Sequence, residues 1–130
     1  MRLLCALLAL ASLASPVAAQ EARSTLTGLA AYEGADRHQR LLEGARREGF
    51  LSLYTSFPPE DVATLNAAFE RKYGVKVRAW RAASEKVLQR TVAEAKAGRD
   101  EVDLVDSNSV PLELLRREGL LQAVRSPYHA

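Results

Sequence analysis

The groups that could engage another molecule in this 130-residue chain are small, neutral and polar. They gather in three places: Thr55-Ser56, Ser84, and Ser107-Asn108-Ser109. Hydroxyls and a primary amide both donate and accept hydrogen bonds, so they suit oxyanions, polyols or carboxylates. A serine nucleophile in a doubly wound hydrolase sits in a Gly-x-Ser-x-Gly turn, which this sequence lacks. The glycine-rich dinucleotide fingerprint and the phosphate-binding loop are missing too. Metal hydrolysis calls for a His or Cys cluster, whereas His38 and His129 are far apart and the one cysteine is Cys5. The pattern predicts capture of a small-molecule ligand, with no enzyme activity, no cofactor and no metal.

Each of these groups follows a predicted strand. A helix from Asp36 carries Leu41, Leu42 and Ala45 on one face and stops at Gly49. A strand over 50–56 begins Phe50-Leu51-Ser52-Leu53-Tyr54, apolar enough to be covered on both sides. Pro58-Pro59 then opens a helix, with Glu60-Asp61 at its positive end. Val62, Leu65, Phe69 and Tyr73 follow the spacing of one buried stripe, and Gly74 ends it. The next strand, over 75–81, alternates Val75, Val77 and Ala79 with Lys76, Arg78 and Trp80, which suits a sheet edge. Ser84 caps a helix carrying Leu88, Val92 and Ala95 as far as Gly98. A third strand over 102–106 leads to a helix from Pro111 through Leu114 and Leu115 to Gly119. Glycine at a helix end supplies the left-handed conformation without a side-chain clash, and the repeated stop reinforces the element boundaries.

Strands alternating with helices predict an α/β fold. Right-handed crossovers and an edge second strand give a parallel sheet of order 2-1-3 with flanking helices. That is the start of a doubly wound sheet, whose ligands bind outside the carboxyl ends of the strands. Thr55, Ser56, Ser84, Asn108 and Ser109 are therefore the candidate ligand-binding residues. A plainer reading stands beside this one: Ser84 and Ser109 cap helices, and Thr55-Ser56 shapes a turn.

Charged residues add less. Arg78 and Arg81 lie on opposite faces of their strand, so at most one reaches the rim. Arg81 could pair with a carboxylate or phosphonate, or with Glu85. Asp103 and Asp106 face opposite ways and form no acid–base pair; Asp106 is expected to bond amides of its own loop. Tyr54, inside a strand, is expected to pack in the core. The doublets Arg46-Arg47, Arg71-Lys72 and Arg116-Arg117 fall in last helical turns, where cations complement the dipole.

Residues 1–19 combine a basic start at Arg2, an apolar run over 3–14, and Val17-Ala18-Ala19 ahead of Gln20. Those are the parts of a cleavable secretory signal peptide, and the run is too short to span a bilayer. Export to the periplasm is expected, with no direct membrane insertion after cleavage. Residues 20–35 form a leader with little regular structure. The chain has 18 Lys+Arg against 16 Asp+Glu, so loss of Arg2 leaves a formal +1. That balance offers no field for nucleic acid.

The ordered set of segments resembles the opening of bacterial extracellular solute-binding proteins of ABC transporters, in the iron(III)-type group. The similar runs are 48–56 (Glu48-Gly49 into the first strand), 68–77 (Ala68-Phe69 to Val77), 97–106 and 118–121. The resemblance implies a periplasmic two-lobed binder that hands its ligand to an ABC permease at the inner membrane. It implies that residues 36–130 are a partial amino-terminal lobe, with a second lobe beyond Ala130. It places ligand contacts at Thr55, Ser56, Ser84, Asn108 and Ser109. Iron-binding members resembling this chain carry His or Tyr where Phe57-Pro58 stands, so an organic anion ranks above ferric iron. The alternatives on the same fold are a sensor or adaptor module and an exported hydrolase.

Overall fold

The computed structural model describes residues 28, 29 and 31–124. The signal peptide expected over 1–19, leader residues 20–27 and 30, and the segment 125–130 with His129 lie outside the described residues. Within the described leader, the Tyr32 hydroxyl donates to Asp36 Oδ1 at 2.6 Å, just ahead of the first helix.

The chain then runs α1 (Arg37–Glu48), β1 (Phe50–Thr55), α2 (Pro59–Tyr73), β2 (Lys76–Arg81), α3 (Ser84–Lys96), β3 (Leu104–Asp106) and α4 (Ser109–Arg117). The three strands form a parallel sheet ordered β2-β1-β3, as the alternation of β2 and the handedness of crossovers predict. Phe50 to Thr55 pair with Lys76 to Arg81, and Leu53 to Thr55 with Leu104 to Asp106.

Local chemistry sets the ends. Gly74 closes α2 at φ 69°, ψ 20°, and its N–H donates to Glu70 O at 2.8 Å. An L side chain would be strained there. Arg46 Nε donates to Tyr73 O at 3.3 Å, so one cation of the first basic doublet serves the carbonyl end of a neighbouring helix. Arg116 and Arg117 both donate to Glu113, which they hold down to a pKa of about 2.

The third strand is shorter than its apolar run. Asp103 N–H donates to Ser52 O at 3.1 Å, and Asp103 Oδ2 accepts from Ser52 N–H at 2.8 Å. A carboxylate has taken the ladder bond that a longer strand would supply, so regular pairing begins at Leu104.

Helix faces differ from the sequence expectation. On α3 the buried residues are Ser84, Val87, Thr91 and Glu94, while Leu88, Val92 and Ala95 are only half-buried. Leu88 and Val92 instead line a cleft shared with Leu114 of α4, because α3 packs against two neighbours. On α2 only Val62 is buried, and Leu65 is 54% exposed. β1 is not covered along its length: Tyr54 and Thr55 are buried, but Phe50 is 37% exposed.

The apolar core is Tyr54, Val62, Val75, Val87 and Leu115. Two grooves remain on the sheet faces. One, of about 640 Å3, runs between α2 and the Leu51, Leu53, Val77 and Leu104 side chains. The other, of about 740 Å3, lies over Phe50, Ser52, Tyr54 and Trp80 on the α3 side.

Leu115 is fully buried where α4 meets α3. Leu115→Ala is expected to cost about 2–5 kcal/mol, read as a lowered urea midpoint with an unchanged slope.

Candidate functional site

The carboxyl ends of the three strands are stitched into one rim. Thr55, at 0% exposure, donates from Oγ1 to Asp106 Oδ2 at 2.7 Å and accepts the Phe57 N–H at 3.1 Å. Ser56 N–H donates to Asp106 O at 3.2 Å, and Ala82 N–H to Thr55 O at 3.1 Å. The loops after β1 and β2 are thereby held to the neighbouring strand's backbone at their first residues, Ser56 and Ala82.

This arrangement sorts the candidate residues. Thr55 spends its donor on Asp106 and is closed to solvent, so its hydroxyl ties β1 to β3 at the rim. Asp106 Oδ2 accepts from the Thr55 hydroxyl on the neighbouring strand, and among the described residues no amide of its own loop bonds its side chain. Ser56 is half-buried at the start of the exposed loop. Ser84 is 7% exposed and is the first residue of α3. Ala83 occupies the cap position, at φ −63° and ψ 151°, without a side-chain capping bond. The expectation that Ser84 caps this helix is therefore corrected: the extended Ala83 takes the cap position and Ser84 is already helical. The same shift occurs at α4, where exposed Asn108 is the cap and exposed Ser109 the first helical residue. Asn108 makes no side-chain capping bond either.

Two groups gain prominence from the tertiary structure. Ser107 Oγ, directly after β3, is buried with no hydrogen-bond partner among the described residues. Arg81 does not pair with Glu85; its Nε donates to Phe57 O at 2.9 Å. Arg78 lies on the opposite face, with its guanidinium 3.5 Å from the Phe50 ring centroid.

Below the rim, one polar cluster fixes α3 on the sheet. The Tyr54 hydroxyl donates to both Glu94 oxygens, at 3.0 and 2.9 Å, and Arg90 Nε donates to Glu94 Oε1 at 2.7 Å. The Arg90 guanidinium lies 4.4 Å from the Tyr54 centroid and 4.5 Å from that of Trp80. Burial pushes the Tyr54 phenol up, and the hydrogen bond to Glu94 adds to the rise. Burial alone would raise Glu94 as well, but hydrogen bonds from Arg90 and Tyr54 outweigh it and hold the carboxyl below its ordinary range. Sequence reasoning placed Tyr54 in the core but missed Glu94, whose only signal was Arg90 four residues before it on the same helix.

Among the described residues, no group of three or more His, Cys, Asp or Glu could hold a metal ion. No described helix is long and apolar enough to cross a membrane. Comparisons with protein-family models, with curated proteins and with solved structures return no match.

Tyr54→Phe is expected to cost about 1.5–3 kcal/mol at neutral pH, since it removes a hydrogen bond to a charged acceptor. Glu94 has a depressed pKa in the folded state, so its contribution is present above the ordinary carboxylate range and is lost as pH falls through the folded value. The gap between wild type and Tyr54→Phe should therefore shrink below about pH 4 in urea titrations.

Proposed function

We propose that this chain forms part of a solute-binding lobe that captures a small organic anion outside the cytoplasmic membrane for delivery to an ABC permease. The observation that carries the reading is the convergence of three strand ends on one edge of a parallel sheet ordered β2-β1-β3. The strand order reverses at β1, and in open α/β sheets such a switch point is where ligands lie. The groups offered there are the Ser56 hydroxyl, the Asn108 amide and the Ser109 hydroxyl, with Ser84 recessed behind them. These hydroxyls and the amide can both donate to and accept from a bound solute, and so can orient it. The secretory pattern of residues 1–19 and the resemblance of the later segments support the cellular setting.

The uncovered sheet faces support a further part of the reading. Parallel sheets are normally covered on both faces, yet Leu104 of β3 is 51% exposed and Phe50 of β1 37%. In the proposed protein, additional polypeptide completes this lobe, and a second lobe closes over the rim. A half-cleft surrounds a solute on one side only, so its affinity is low.

The test is amide NMR of the full chain titrated with succinate, citrate and glycerol. Weak, millimolar responses centred on Ser56, Ser84, Asn108 and Ser109 are expected. Responses confined to the two sheet-face grooves would reject the rim as the site, and micromolar binding would reject the half-cleft.

A further inference from the structure

We propose that Arg81 is the anion-anchoring residue of the rim, receiving an oxyanion group of the solute on its two terminal nitrogens. The inference rests on the solute-capture reading and assigns it a chemical class. Arg81 is the last residue of the β1–β2 ladder, paired with Thr55, so it stands beside the start of the Ser56-Phe57 loop. Its Nε–H is tied to the Phe57 carbonyl at 2.9 Å, which orients the guanidinium. Both Nη groups stay available: the side chain is exposed, and no described carboxylate forms an ion pair with it.

The neighbouring chemistry explains why such a donor is needed here. A helix amino terminus often binds anions through its free N–H groups. α2 opens on Pro58-Pro59, which removes two of those donors, turns the Asp61 N–H back to Pro58 O at 3.1 Å, and carries the Glu60 and Asp61 carboxylates in its first turn. The β1–α2 loop therefore repels an anion unless another group supplies positive charge and N–H donors. Arg81 supplies both, in a planar fork that matches a carboxylate or phosphate. The other cation near the rim, Lys86, is turned to Gln89 Oε1 at 3.1 Å.

The probe is inorganic phosphate, titrated into the full chain with glycerol as the neutral reference, in wild type, Arg81→Gln and Arg81→Lys. Phosphate should shift the Ser56 and Ala82 amides of wild type. Its half-saturation should rise about tenfold or more in Arg81→Gln and less in Arg81→Lys, which keeps the charge but loses the fork. The ligand-free Thr55 and Asp106 resonances should stay in place in both variants, separating anion contact from a merely structural tether. An unchanged phosphate response in Arg81→Gln overturns the assignment, as does a loss matched by displaced ligand-free resonances in both variants. Glycerol shifting the rim while phosphate does not would overturn the anion class and leave solute capture standing. No rim response to any solute would overturn both.

Discussion

The Thr55–Asp106 hydrogen bond ties the third strand to the first at the level where the loops depart. β3 has three residues, so its ladder alone holds few bonds. The 2.7 Å contact between side chains, closed off from water on the Thr55 side, adds a charge-assisted bond at the open end. Asp103 does the equivalent at the other end by taking the Ser52 amide. A short strand flanked by two aspartates is thus clamped at both ends, and the loop bearing Ser107, Asn108 and Ser109 inherits a fixed origin. Without that clamp the third set of polar groups would have no defined place beside Ser56.

The opposite face depends on a second polar lock. Glu94 lies against the sheet at 6% exposure, an environment that penalises a lone carboxylate. Tyr54 and Arg90 both donate to it, and Arg90 spreads over two aromatic rings on its way. The cluster therefore sets the height of α3 on β1, and with it the depth of Ser84 at the helix start. Such polar fixing matters more here because five apolar residues make up the described core. Val87 of α3 and Leu115 of α4 are fully buried, whereas α1 has no buried residue at all.

Much of the rim was legible from residue types alone. Small polar residues after each strand, and the absence of catalytic motifs, identified Ser56, Asn108 and Ser109 as groups able to face a solute. Their availability was not legible. Thr55 and Ser56 are adjacent and chemically alike, yet one hydroxyl is consumed by Asp106 and the other is not. Strand alternation sends them to opposite sides, and only the partner strand decides which side holds an acceptor. Arg81 shows the reverse case. A pairing with Glu85 was plausible by proximity in sequence, but the β1–β2 register brought the Phe57 carbonyl closer.

The sequence by itself determined the order of elements, the helix stops at glycine and the edge character of β2. These follow from periodicity and backbone sterics, which act within a few residues. It also determined the sheet order, because crossover handedness leaves little choice once β2 is an edge. Only the tertiary structure decided which helix faces are buried and which polar groups are spent. On α3 the two candidate stripes differ by a rotation of one residue, and Glu94 could enter the buried one because Tyr54 and Arg90 were waiting to satisfy it. That choice is a sum over partners 36 to 40 positions apart, as in the Tyr54–Glu94 bond, and no local pattern encodes it.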